Sequence, residues 1–214
     1  MDARTSQVVA KAEADEVQFV SLQLTDIFGT VKNVTIPVDQ LPVAFARGVN
    51  FDGSSVEGLA RVCESDMVLR PDASTYHVLP WTEAPQRTAR LICDVHDTEG
   101  RPFGGDPRQI LRRVLAQAKD MGYTYHTGPE VEFFLFRMDG KPQVTPVPQD
   151  TGGYFDFSPL DSASSVRNQI ALACKAMGIE VEAAHHEFPP DSTRLTSAMP
   201  RRSPAQMQWS PCAM

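Results

Sequence analysis

With 214 residues the chain is long enough for one large domain or two small ones, and 42% hydrophobic against 22% charged residues excludes a disordered or fibrous protein. Lys+Arg number 20 and Asp+Glu 27, a net charge of -7 that gives no general attraction to nucleic acid or anionic lipid. No apolar run reaches the roughly 18 residues of a membrane span, and the mixed, acidic start MDARTSQVVAKAEADEVQF has no secretory h-region, so a cytoplasmic protein without membrane or nucleic-acid partners is expected.

Near residues 4–14, Val8, Val9 and Ala12 oppose Lys11 and Glu13, which predicts a leading helix within a segment 1–16. VQFVSLQLTDIFG from Val17 alternates as a strand, Asp26 to Gly29 form a turn, and TVKNVTIP supplies the second arm of a hairpin. Val38 to Arg47 is expected to be a short helix, followed by the loop Asn50-Phe51-Asp52-Gly53-Ser54-Ser55 and by strands around Met67–Arg70 and Arg90–Val95. Gly104-Gly105-Asp106-Pro107 marks a boundary: the glycines stop a strand, Asp106 suits an N-cap and Pro107 the first helical position. Ile110, Val114, Leu115 and Ala118 then recur at helical spacing up to Gly122. A strand Glu130 to Phe136, a loop Asp139–Gly153, a helix from about Ser164 to Met177 and a strand Ile179–Ala183 complete the patterned part. Cys63, Cys93, Cys174 and Cys212 are far apart with no C-x-x-C, which predicts reduced, mostly buried thiols.

Glu130 and Glu132 lie two apart in G-P-E-V-E-F-F-L-F, so on a strand their side chains share a face. Two crowded carboxylates call for a cation, a shared proton or water, and hard oxygen ligands favour Mg²⁺ or Mn²⁺. A solvated strand face is the alternative; Phe133, Phe134 and Phe136 weigh against it, because they predict a strand buried on both sides. In I-E-V-E-A-A-H-H-E the same alternation puts His185 and Glu187 on one face and Glu182 and His186 on the other. That set suits a metal or phosphate site, or simply histidines partnered by carboxylates and backbone. Asp52 in F-D-G-S-S is either an anion for a cation or proton, or the anchor of an Asx-turn. The sequence contains neither a P-loop nor a nucleophile elbow.

Together these pieces resemble the N-terminal half of glutamine synthetase of the bacterial type I class. F-D-G-S-S at 51–55 with Glu64-Ser65-Asp66 and Leu69 is similar to the family's N-terminal signature. Gly128-Pro129-Glu130-Val131-Glu132-Phe133 resembles its first metal-ligand strand, Gly152-Gly153-Tyr154-Phe155-Asp156 a further family segment, and His185-His186-Glu187 its next ligand strand. The resemblance implies an α+β chain: a β-grasp domain at 17–104, then at 105–190 the start of a catalytic domain built on an antiparallel sheet with helices. It also implies that glutamate, ammonium and ATP are joined through γ-glutamyl phosphate to give glutamine, with Mg²⁺ or Mn²⁺ offsetting charge. Glu132 and Glu187 would bind one metal ion and Glu130 the other, Glu182 would contact the nucleotide, and Asp52 would bind ammonium and take its proton across a subunit interface. The family's homo-oligomer is a dodecamer of two hexameric rings. A ligase of the same family that attaches glutamate to a polyamine or other amine, and a non-catalytic remnant acting as an interaction module, are the competing readings.

After Pro190 the pattern departs. The family continues in the manner of A-P-G-Q-H-E-I-D-F-R-Y, whereas residues 191–214 run DSTRLTSAMPRRSPAQMQWSPCAM without a 3.6 or 2.0 period. If Asp191 to Met199 are encoded GAC AGC ACG AGG TTG ACT TCC GCT ATG, one allowed choice of codons, one G placed in front gives Gly-Gln-His-Glu-Val-Asp-Phe-Arg-Tyr, which restores the family pattern. A one-base deletion, or a sequencing error, in the codon following Pro190 is therefore expected, with an unstructured, out-of-frame tail at 191–214 and no ligase activity from the 214-residue chain alone.

Overall fold

Asp2 caps the first helix, its carboxylate accepting from Thr5 N at 2.8 Å, and α1 (Ala3–Ala14) buries Val8 and Ala12. The computed structural model describes residues 2–56, 58, 66–137, 147–190 and 192–197. Glu64, Ser65, Cys63 and Cys212 lie outside the described residues, as do Asp191 and 198–214 of the tail.

The hairpin is β1 (Phe19–Thr25) and β2 (Val31–Pro37), paired antiparallel from Phe19 opposite Pro37 to Thr25 opposite Val31. Asp26 closes the turn by accepting from the amides of Phe28 and Thr30, both at 2.9 Å, and Gly29 supplies the left-handed φ of 82°. A 3-10 turn leads into α2 (Leu41–Arg47), which ends at Gly48, whose φ is 77°. A Cβ there would lie 2.4 Å from Val68 Cγ1 and 2.7 Å from Leu69 O, so only glycine fits both the conformation and the space.

The segment expected to be a loop from Asn50 is instead β3 (Val49–Asp52). It pairs with β4 (Asp66–Pro71), an edge whose hydrogen-bonding groups the alternation of a short segment does not reveal. β5 (His77–Val78), which the pattern did not predict, and β6 (Thr88–Asp97) complete a six-stranded sheet. Its order is β2-β1-β6-β4-β3, with β5 also on β6 and only the central β1–β6 pair parallel. One face of the sheet carries Val20, Leu22 and Leu24 of β1, Met67 and Leu69 of β4, and Ala89, Leu91, Cys93 and Val95 of β6. These pack with Val8, Ala12, Leu41 and Ala44 of the two helices into one core. Burial pushes the Cys93 thiol well above its ordinary pKa, and both described cysteines, Cys93 and Cys174, are free.

Pro107 opens α3 (Pro107–Asp120) as predicted, and Asp106 caps it by accepting from Arg108 N at 2.9 Å. The other Asp106 oxygen accepts from Val95 N at 3.0 Å, fastening the helix start to β6. Arg108 reaches Asp94 at 2.6 Å and Asp72 at 2.7 Å, and Arg112 reaches the same two carboxylates. This network places α3 with the first of two compact units, which divide between Tyr125 and His126, even though the sequence pattern changes earlier, at Gly104-Gly105.

The network sets a pH dependence. Burial raises the Asp72 carboxyl, but Ser74 and Arg108 outweigh it and hold the pKa below the ordinary value. Its contribution is therefore full above the unfolded value near pH ~4 and lost as pH falls through the lower folded value. Asp106 has the opposite sign: burial raises its folded pKa, so its contribution is fullest in acid and lost as pH rises through that value. Comparing wild type with Asp72→Asn isolates the first term. Urea unfolding is expected to separate them by about 1 kcal/mol at neutral pH, a figure discounted for partial exposure, and the gap is expected to shrink as pH falls below ~4. A gap that is unchanged in acid would refute the assignment.

The second unit holds β7 (Glu130–Phe134), a two-stranded ladder of β8 (Phe136–Arg137) and β9 (Val147–Pro148), α4 (Ser164–Ala176), β10 (Val181–His186) and β11 (Ser192–Ser197). Four expectations are corrected by this unit. The strand expected from Glu130 to Phe136 breaks at Leu135, and part of the expected loop 139–153 is β9. Phe134 and Phe136 are 51% and 46% exposed, stacked on each other with centroids 6.1 Å apart, so β7 is not buried on both sides among the described residues. The tail is not unstructured from its start: Ser192–Ser197 form the central strand of the sheet β10-β11-β7, antiparallel to both neighbours. Thr193, Leu195 and Ser197 are buried there, and β-branched Thr193 and Thr196 suit the pleat between two strands that each offer an open edge.

Candidate functional site

β11 decides what the carboxylates meet. Its Arg194 stands opposite Glu132 of β7 on one side and His185 of β10 on the other. Glu130 and Glu132 share a face of β7 through the two-residue period, as the sequence predicts, and both reach the Arg194 guanidinium. Nη1 lies 2.9 Å from Glu130 Oε2, and Nη2 donates to Glu132 Oε1.

Glu187, just past β10, brings a third carboxylate. Its amide donates to Ser192 O at 2.9 Å, which turns the buried side chain inward, and its Oε1 lies 3.0 Å from Arg194 Nε. That contact misses hydrogen-bond alignment, so both atoms are buried with a charge partner but no hydrogen bond. His185 shares the Glu187 face, as predicted, with Nδ1 3.6 Å from Oε1. Tyr154 and Phe155 stack at 4.1 Å and meet the His185 ring edge-on at 5.3 and 4.6 Å. Burial works against the Arg194 charge, yet Glu132, Glu187 and Glu130 together hold its pKa above the ordinary value.

Glu182 is separate from this cluster. It sits in the exposed part of β10 at an irregularity between Val181 and Ala183, where the register against β11 shifts. His186, on the other face from His185, is buried and partnered: Nε2 lies 3.0 Å from Asp150 Oδ1 and Nδ1 2.6 Å from Glu187 O. Burial lowers its pKa, but Asp150 outweighs this and the net shift is upward. Gly152 makes room for it, since a Cβ there would lie 3.0 Å from Nε2.

Asp52 belongs to the first unit. One carboxylate oxygen accepts from Ser54 N at 2.9 Å and Ser54 Oγ at 2.6 Å, the other from Ser55 Oγ at 3.0 Å. The Ser54 hydroxyl, its amide and the Ser55 hydroxyl hold its pKa below the ordinary value, so it is an exposed, ionised Asx-turn anchor.

The sequence reading missed two groups. Arg194 was read as part of the tail. Arg167 of α4 is buried against Asp161, pairing Nη1 with Oδ1 at 3.0 Å and Nη2 with Oδ2, and it donates to Thr193 Oγ1 at 2.8 Å. Its signal was present: residues 167, 170, 171 and 174 have helical spacing, which puts an arginine on the apolar face of α4.

The first unit carries a mixed six-stranded sheet and the second an antiparallel sheet on which three carboxylates converge. The glutamine synthetase β-grasp domain model matches residues 16–98 and the glutamine synthetase catalytic domain model residues 104–195. The chain belongs to the glutamine synthetase family, as an N-terminal part of it. It is 53% identical over 181 residues to a glutamine synthetase of Halobacterium salinarum and 49% over 180 residues to one of Staphylococcus aureus, covering 84% of this chain and 40% of each relative. The ADP complex of GmaS superposes with a TM-score of 0.79 at 25% identity, over 90% of this chain and 44% of that one. The Plasmodium falciparum glutamine synthetase, at 19% identity and a TM-score of 0.76, shares the fold, over 93% of this chain and 44% of that one. The chain thus spans about 40% of the length of the curated relatives it matches. No helix among the described residues is long and apolar enough to cross a membrane.

The family implies a divalent metal ion. Three carboxylates are a suitable hard-oxygen donor set for such an ion. In this chain the guanidinium of Arg194 lies where the three converge, and no metal-holding group of His, Cys, Asp or Glu occurs among the described residues. The residues present do not fit a divalent ion at that point.

Proposed function

We propose that this chain is the N-terminal part of a glutamate–ammonia ligase whose intact form makes glutamine, and that the chain with its present 191–214 sequence is inactive alone. One observation supports the reading: Glu130, Glu132 and Glu187 converge on residue 194 of β11, the position that would be glutamate if the supposed codons are read one base out of frame. A one-base deletion after Pro190 accounts for both the convergence and the arginine. In the intact form the γ-carboxylate of glutamate takes the γ-phosphoryl group of ATP, and ammonia then displaces phosphate. Asp52, ionised and exposed on its turn, would accept a proton from ammonium, acting from a neighbouring copy in the dodecamer. Glu182, in the exposed stretch of β10, would contact the nucleotide. Glu130, Glu132 and Glu187 would hold Mg²⁺ or Mn²⁺ once residue 194 is glutamate. Activity in a cytoplasmic setting completes the reading.

Resequencing the genomic DNA across the codons for Pro190 and Asp191 tests the deletion. In a frame-restored chain, Asp52→Asn is expected to lower kcat with ammonium by about 100-fold while leaving assembly intact, within the range for a positioned proton acceptor. An Asp52→Asn enzyme with unchanged kcat would remove Asp52 from the mechanism. Comparing ammonia with putrescine as acceptor in the same restored chain separates this reading from the amine ligase.

A further inference from the structure

We propose that Arg194 is the resident cation of the carboxylate cluster: its guanidinium bridges Glu130, Glu132 and Glu187 and excludes a divalent metal ion from the second unit of this chain. All three of its nitrogens face carboxylate oxygens, Nη1 to Glu130, Nη2 to Glu132 and Nε to Glu187. The three acids come from two places in the chain, the strand β7 and the end of β10, and the strand between them supplies the base. Without a cation, three carboxylates facing one another repel, and their oxygens have no donor to replace water. The planar fork of arginine meets this need by turning Nη1 and Nη2 to Glu130 and Glu132, while Nε faces Glu187 as a charge partner without an aligned hydrogen bond. The same occupancy blocks a metal: an incoming divalent ion would meet a like charge at the point where the oxygens converge.

The arginine also ties the sheet together, since its partners lie on both strands flanking β11. With the codons supposed for Thr193 and Arg194, the shifted frame would read glutamate at 194, so a single base would exchange an internal cation for a fourth carboxylate at one position of the same strand. This inference rests on the contacts of Arg194 and not on the ligase reading; metal titration reads no catalysis, and its failure leaves that reading standing.

The test is Mn²⁺ binding to the purified full chain, followed by electron paramagnetic resonance and thermal unfolding, with the unfolding transition confirming that each sample is folded. Wild type is expected to show no Mn²⁺-dependent stabilisation and no bound Mn²⁺ that Glu132→Gln abolishes. Arg194→Glu is expected to bind Mn²⁺ at least about 100-fold more tightly than wild type. Arg194→Ala is expected to melt lower in metal-free buffer and to regain stability when Mn²⁺ is added, whereas Arg194→Lys keeps the charge, loses the fork and still binds none. Tight Mn²⁺ binding by wild type that Glu132→Gln abolishes would overturn the proposal, and so would an Arg194→Ala chain that melts like wild type without metal. The wild-type titration decides the matter even if a variant fails to fold.

Discussion

The 214-residue chain is expected to form no amide from glutamate, ammonium and ATP, whereas the chain read on in the frame that gives Gly-Gln-His-Glu from position 191 is expected to turn over at roughly 1–1,000 s⁻¹, the ordinary range for enzymes. Phosphoryl transfer to a carboxylate brings several negative charges together, and catalysis depends on positioned positive charge that opposes them. Here the only cation in contact with the three acids, among the described residues, is a guanidinium whose Nη atoms are committed to Glu130 and Glu132 and whose Nε faces Glu187. A group already paired in the ground state offers little further stabilisation to a transition state.

The experiment compares ATP-dependent glutamine formation by the two purified chains at equal concentration. Activity in the short chain above the uncatalysed rate would sink the expectation. So would an inactive restored chain that assembles normally. Arg194→Glu in the short chain isolates the metal position: if it binds Mn²⁺ yet remains inactive, the arginine is not the sole cause of inactivity.

What the sequence made legible follows from how local each feature is. The β1–β2 hairpin and the start of α3 could be read because their information is contained in a few neighbouring residues: Asp26 with Gly29, and Asp106 with Pro107. The pairing of Glu130 with Glu132, and of His185 with Glu187, could be read from the strand period alone. β11 could not, because a Ser- and Thr-rich run gains its structure from edges that β7 and β10 supply, more than 50 residues and a few residues away respectively. Arg194 was illegible for the same reason: its partners are defined only once β11 lies between those strands. The exposed Phe134 and Phe136 mark the converse case, where an apolar pattern predicts a burial that the described residues do not provide.

Arg167→Ala is expected to destabilise the second unit by about 3–5 kcal/mol, the cost of leaving one member of a buried ion pair without its partner. The Asp161 carboxylate is buried; burial raises its pKa, but Arg167 and the amide of Ala163 outweigh that and keep it below the ordinary value. Removing the guanidinium leaves that charge with the Ala163 amide, at 2.9 Å, and the weaker influence of His186, and strips Thr193 Oγ1 of the Arg167 donor. Because Thr193 is fully buried on β11, the loss should reach the sheet: amide exchange along Thr193–Leu195 is expected to accelerate, while exchange in β1 and β6 of the first unit stays at wild-type rates. Arg167→Met combined with Asp161→Asn removes both charges and keeps most of the volume, so it is expected to recover much of the stability that Arg167→Ala loses. An Arg167→Ala chain within about 0.5 kcal/mol of wild type would show that the pair is not what docks α4 on β11. A double variant no better than the single one would place the cost in lost packing by the arginine stem rather than in the stranded carboxylate.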